Sequence, residues 1–83
     1  MKKEILGILR ELNDKIPDDM QVDLLEDGLI DSFDIVNIVS ALEEHFGIEI
    51  SAEDIVPKNF DSIEHILRLI DECLQKRKIH GGI

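Results

Sequence analysis

Aliphatic residues recur at helical spacing in three separate stretches of this chain. The longest uninterrupted pattern covers residues 32–46, and Gly47 directly after it is well placed to end a helix. An earlier pattern covers residues 2–14 and is stopped by Pro17, and a last one runs to about Lys76. We therefore predict an all-helical fold.

Each pattern places its aliphatic side chains on one face, which is predicted to form the core. The predicted core residues are Ile5, Ile8, Leu9, Leu12 and Ile16 in the first helix, Ile35, Ile38, Val39, Leu42 and Phe46 in the second, and Ile63, Ile66 or Leu67, Ile70 and Leu74 in the last. An N-capping pattern at 51–54, followed by Pro57, predicts one short helix over 52–56. The predicted fold class is a small four-helix bundle, with three main helices, one short helix and a long first loop.

The connection at 18–31 is too long for a simple turn between helices. Its apolar residues predict that it packs onto the core; they are Val22, Leu24, Leu25, Leu29 and Ile30. Gly28 is expected to supply a backbone conformation that other residues resist. Because the next helix begins here, Ser32 is predicted at or just inside a helix N-terminus, where a negatively charged group is favoured. Ser32 is then either a helix cap or a hydroxyl presented to another enzyme.

The net charge of −10 is concentrated in the middle of the chain. Residues 16–57 contain twelve acidic side chains and no Lys or Arg, whereas the rest carries seven acidic and nine basic side chains. Nucleic acid is a poor partner for such a surface, and proteins with basic patches are good ones. Alternatively, the acidic residues only keep a small domain in solution.

The length of 83 residues allows one domain, which is predicted over residues 1–78 with a disordered tail at 79–83. No apolar run approaches the roughly 18–20 residues of a membrane span. Arg10 and Glu11 interrupt the pattern that follows the N-terminus, so we expect that it is not a signal peptide. The single cysteine, Cys73, excludes an internal disulfide and fits a reducing compartment. We expect a cytoplasmic protein and, by default, a monomer.

Neither a catalytic nor a metal-binding arrangement is visible in the sequence. The histidines at 45, 65 and 80 lack ligand-like spacing with each other or with Cys73. Only carboxylates neighbour Ser32, and these do not activate a serine strongly. If Ser32 takes part in chemistry, another protein must supply the catalyst.

Residues 23–34 partly match a calcium-binding loop, with Asp23 at the first position and Gly28 at the sixth. The match fails at the third position, where Leu25 cannot bind a cation. At the twelfth position Asp34 replaces the longer Glu that binds calcium with both oxygens. A degenerate calcium sensor is therefore only a minor alternative.

Phe33 and Val36 flank Ser32 and allow two interpretations. Both can be ordinary core residues of a bundle helix, or they can form a small exposed apolar spot where a partner docks. We expect at least one of the two to belong to the core.

One long motif carries a resemblance to a known family. It reads Leu25-x-x-Gly28-x-x-Asp31-Ser32-Phe33, followed by Ala41-Leu42-Glu43-Glu44-x-Phe46-Gly47-Ile48-Glu49-Ile50. With this motif the chain resembles acyl carrier proteins and the related peptidyl and D-alanyl carrier proteins. The resemblance extends over residues 5–72.

The resemblance implies that Ser32 is the residue to which a separate phosphopantetheinyl transferase attaches 4′-phosphopantetheine from coenzyme A. It also implies that Asp31 helps to position the metal-bound coenzyme. The thiol of the attached arm would hold an acyl or aminoacyl group as a thioester. An acid-activating ligase or acyltransferase would load this group, and a downstream acyl-accepting enzyme would remove it. The residues that match partner-binding positions are Phe33, Asp34, Val36, Glu43 and Glu44.

The chain departs from the acyl carriers of fatty-acid synthesis at a few positions. Gly28 lies one residue further from the Asp-Ser pair than the usual glycine, as in D-alanyl carriers and in stand-alone carriers of specialised pathways. Asn37 and Ser40 also differ from the common residue types. We therefore predict a stand-alone carrier without catalysis of its own. The alternative is an acidic helical interaction adaptor in which Ser32 is only a helix cap.

Overall fold

Three α-helices and two short 3₁₀ turns make up the computed structural model, which describes the backbone of residues 1–81 and the side chains of residues 1–76. The helices are α1 (Lys2–Leu12), α2 (Ser32–Phe46) and α3 (Ile63–Gly81), and the two turns are Ala52–Asp54 and Pro57–Asn59. Because the described backbone contains no strand, the all-helical prediction is confirmed. None of the helices in this part of the chain has the length and apolarity needed to cross a membrane.

In place of the short helix predicted over residues 52–56, the structure has a 3₁₀ turn at Ala52–Asp54 and a second one at Pro57–Asn59. Ser51 makes no side-chain capping bond to the first turn, and Pro57 begins the second, where its missing N–H leaves no bond unmade. A bundle of four helices therefore stays a prediction. Helix α3 extends past its predicted end near Lys76, but the predicted tail at 79–83 lies outside the described side chains and also stays a prediction.

Helix α1 contacts both α2 and α3, and aliphatic side chains from all three helices form the core. The buried apolar residues are Ile5, Leu6, Leu9, Ile16, Leu24, Ile30, Ile35, Ile38, Val39, Leu42, Ile48, Ile50, Phe60, Ile63, Ile66, Leu69 and Ile70. The prediction of Leu12 as a core residue is wrong, since its side chain is 41% exposed. Leu12 is the last residue of α1, and the chain turns to extended backbone at Asn13. Leu6, absent from the predicted set, is buried instead.

The connection between α1 and α2 is packed onto the core, as predicted. Leu24 is at its centre: the Leu24 carbonyl accepts hydrogen bonds from the N–H groups of Leu29 and Ile30, at 2.9 and 3.1 Å. The Leu24 N–H donates to the carbonyl of Asp61, at 2.6 Å, which ties the connection to the segment before α3. Gly28 has φ of 73°, the left-handed conformation that favours glycine.

Candidate functional site at the start of helix α2

Two aspartates hold the first turn of α2 through reciprocal hydrogen bonds. The Asp31 carboxylate accepts from the backbone N–H of Asp34, and the Asp34 carboxylate accepts from the backbone N–H of Asp31, both at 3.0 Å. Asp31 is the N-cap, with extended backbone. This arrangement is a capping box, which satisfies two of the N–H groups that a helix start leaves without a partner.

Ser32 is the first residue of α2 and lies after the cap. The interpretation of Ser32 as a helix cap is therefore wrong, because Asp31 already occupies that position. The Ser32 side chain is exposed, and no residue within the described range accepts or donates a hydrogen bond at its hydroxyl. The structure leaves this hydroxyl accessible from solvent.

The N–H groups of Ser32 and Phe33 lie in the same turn as the hydroxyl. The first N–H groups of a helix have no intrahelical partner, and the capping box satisfies only those of Asp31 and Asp34. Ser32 and Phe33 can therefore donate to an anionic oxygen attached at Ser32, as other helix N-termini do for phosphate groups. This is the fit expected of a phosphodiester on this serine.

Phe33 and Val36 form an exposed apolar spot next to Ser32. Their side chains are 83% and 63% exposed, so the expectation that at least one belongs to the core is wrong. Residues three apart on a helix lie on the same face, so the two side chains are neighbours. The interpretation of this pair as an exposed apolar spot beside the serine is the one that agrees with the structure.

The three acidic residues predicted to contact partners differ in their surroundings. Asp34 belongs to the capping box, and the Glu43 carboxylate accepts from the backbone N–H of Ile50 at 2.9 Å. Glu44 is exposed and has no hydrogen bond to the described residues. Two of the three carboxylates therefore hold the protein's own backbone, and only that of Glu44 faces solvent without an internal bond.

Asp23 and Asp34, at the two ends of segment 23–34, both bond to the protein's own backbone. One Asp23 carboxylate oxygen accepts from the N–H groups of Leu25 and Glu26, at 3.1 and 2.9 Å, and Asp34 is held in the capping box. Nowhere in the described part of the chain do three or more His, Cys, Asp or Glu side chains converge as ligands of a metal would. Asp23 instead closes a turn that leads to Gly28.

Two of the three histidines take part in local contacts. His65 pairs with Asp61 through its Nδ1, and the His45 ring packs edge-on against Phe46 with ring centroids 4.8 Å apart. Partial burial raises the pKa of the Cys73 thiol. The side chain of the third histidine, at position 80, lies outside the described residues.

Two features of the site were missed in the sequence. The Asp-x-x-Asp spacing of residues 31–34 fits a capping box in which aspartate takes both roles, and it was available as a signal. The bond from Glu43 to Ile50 had no local signal, because it depends on the path of the chain after Gly47.

Comparison with known proteins identifies the relatives of this chain. A family model described as "Phosphopantetheine attachment site" matches residues 3–70. D-alanyl carrier proteins of Bacillus cereus (strain B4264) and Bacillus anthracis (strain CDC 684 / NRRL 3495) are each 29% identical to the chain over 73 residues. The aligned region covers 86% of this chain and 92% of each relative. No solved structure matches the chain.

Proposed function

The chain belongs to the family of the phosphopantetheine attachment site, whose cofactor is covalently bound 4′-phosphopantetheine, and we propose that Ser32 is the residue that carries it. The observation that supports this assignment is the exposed Ser32 hydroxyl, which lies directly after a completed capping box and has no hydrogen bond to the described residues. Its modification would break no hydrogen bond that the described structure contains.

The chain's own residues provide a place for the group but no catalyst. In the proposed transfer, a new bond forms between Ser32 Oγ and phosphorus, and the bond from that phosphorus to the nucleotide part of coenzyme A breaks. The serine proton passes to a base of the transferase, since only carboxylates neighbour Ser32 in the sequence. The N–H groups of Ser32 and Phe33 would be available to donate to the phosphodiester oxygens.

We propose that the arm's thiol holds an acyl or aminoacyl group as a thioester. The names of the relatives, D-alanyl carrier proteins, favour an aminoacyl group. An acid-activating ligase or acyltransferase would load it and a downstream enzyme would accept it. The apolar spot of Phe33 and Val36, together with Glu44, is the surface that we propose these enzymes contact. A cytoplasmic location stays a prediction.

The test is an intact-mass spectrum before and after incubation with coenzyme A, Mg²⁺ and a broad-specificity phosphopantetheinyl transferase. We expect the wild-type chain to gain one phosphopantetheine, Ser32→Ala to gain none, and Ser40→Ala to behave as wild type. Ser40 is a matched control because it is an exposed serine on the same helix. A gain that persists in Ser32→Ala would contradict the site.

The absence of any gain in a folded wild-type sample, with an active control carrier, would contradict the carrier function. The interaction adaptor would then be the remaining candidate. Charge reversal at Glu44 tests it better than a change at Glu43, because Glu43 also holds the backbone of Ile50. Loss of partner binding in Glu44→Lys, with the fold retained, would support the adaptor.

A further inference from the structure

Asn13 uses both ends of its side-chain amide. It ends α1, and its Oδ1 accepts from the backbone N–H of Lys15 at 3.0 Å. Its Nδ2 donates to the carbonyl of Leu29 at 3.1 Å. If the amide were flipped, its NH₂ group would face the Lys15 N–H and its oxygen would face the Leu29 carbonyl. The two bonds together therefore fix its orientation.

The Asn13–Leu29 bond holds the segment that leads into Ser32. Leu29 lies two residues before the N-cap Asp31, and its N–H and that of Ile30 both donate to the carbonyl of Leu24. Ile30 is buried, whereas Asp31 and Ser32 are exposed. The segment that leads to Ser32 is therefore held by Leu24, in the connection, and by Asn13, at the end of α1. It reaches the surface directly after Ile30.

We propose that Asn13 is a positioning residue for the modification of Ser32, an inference that rests on the proposed function. Its amide holds the Leu29 carbonyl, and the exposed Asp31-Ser32 pair that follows is thereby presented to the transferase in one conformation. Without this bond the transferase must order the segment when it binds, and that ordering lowers affinity. Once the complex has formed, the enzyme itself holds the serine. Removal of the bond should therefore raise KM and leave kcat unchanged.

Asparagine is the residue type that this position requires. Aspartate can still accept from the Lys15 N–H, but it has no donor for Leu29 and sets a negative charge beside that carbonyl. Asn13→Asp is nearly isosteric and therefore removes one of the two bonds selectively. Gln21→Glu is the matched control, because it makes the same amide-to-carboxylate change at an exposed position of the same connection.

The experiment measures initial rates of coenzyme A-dependent modification at several concentrations of each carrier variant. Rates are taken at a temperature where circular dichroism shows all variants fully folded. For Asn13→Asp we expect KM to rise by about 2- to 12-fold, which corresponds to a hydrogen bond of about 0.5–1.5 kcal/mol, with kcat nearly unchanged. Gln21→Glu should leave both constants at their wild-type values.

Amide hydrogen exchange provides a second readout. We expect faster exchange at the backbone N–H groups of Leu29 and Ile30 in Asn13→Asp than in Gln21→Glu. An unchanged KM in folded Asn13→Asp would overturn the proposal, whatever the melting temperature, because a merely stabilising residue leaves KM of the folded protein unchanged. If Asn13→Asp does not fold, Asn13→Ala replaces it with the same expected rise in KM. A wild-type chain that is never modified would instead refute the proposed function.

Discussion

The carboxylate of Asp31 accepts the backbone N–H of Asp34, and the carboxylate of Asp34 accepts the backbone N–H of Asp31, at the same distance of 3.0 Å. Both acidic side chains therefore stabilise the start of α2, and the serine between them in sequence takes no part in the capping box. The residue that keeps the helix end in place and the residue proposed for modification are thus neighbours with separate tasks.

The first prediction compares these neighbours. Asp31→Ala removes the N-cap acceptor and should lower the free energy of unfolding by about 0.5–2 kcal/mol. Ser32→Ala removes no hydrogen bond to the described residues and should change it by less than about 0.5 kcal/mol. Urea unfolding followed by circular dichroism measures both. Equal losses in the two variants would mean that the Ser32 hydroxyl caps the helix after all.

Two adjacent glutamates near the end of α2 give the second prediction. Glu43→Ala leaves the N–H of buried Ile50 without its acceptor, so we expect a loss of about 1–3 kcal/mol in the free energy of unfolding. Glu44→Ala removes the same charge from an exposed side chain and should change it by less than about 0.5 kcal/mol. The difference between the two urea midpoints is the measurement. Its absence would show that net charge, and not the Ile50 bond, matters at Glu43.

The third prediction concerns two glycines, Gly28 and Gly7. A methyl group added at either position by substitution with alanine would meet open space. Gly28 has positive φ, so Gly28→Ala should cost about 1 kcal/mol through backbone strain alone. Gly7 lies inside α1, so Gly7→Ala should stabilise the protein by about 0.5–1 kcal/mol. Thermal unfolding of the two variants checks the opposite signs. A stabilising Gly28→Ala would contradict the left-handed turn before α2.

The fourth prediction concerns Cys73, whose thiol pKa is raised because burial disfavours the thiolate. At a given pH the folded chain should hold less thiolate than the urea-unfolded chain, so iodoacetamide should alkylate it more slowly. The unmodified protein is used, because the attached arm would add a second thiol. The midpoint of the rate against pH isolates the pKa from access to the thiol, and it should be higher in the folded chain. Coincident midpoints would contradict the shift.

The bounds of α2 were predictable because their signals are local. The helical stripe that begins at Ile35 and the glycine at position 47 are both read from residues close together in the sequence. The structure has the helix at Ser32–Phe46, as predicted. The packing of the connection was predictable from its composition, since it has too many apolar residues to remain in water. The same local pattern placed Ser32 at or just inside the helix N-terminus, but it did not decide between Asp31 and Ser32 as the N-cap.

The features that could not be predicted from the sequence depend on which face of a helix packs against its neighbours. Helix α2 carries apolar residues on several sides, so periodicity alone did not place Phe33 and Val36 in solvent. Leu12 continues the stripe of α1 in the sequence, but it is the last residue of the helix and its side chain is 41% exposed. The bond from Glu43 to Ile50 similarly requires the path of the chain after α2 to be known.

The exposed apolar spot of Phe33 and Val36 also bears on how such a protein can be re-engineered. Because solvent covers most of both side chains, their replacement removes little from the core. If the proposed partner enzymes bind at this spot, their recognition can diverge at these two positions while the fold stays constant. Two copies of the same bundle with different outer faces on α2 would then bind separate sets of enzymes in the same cell.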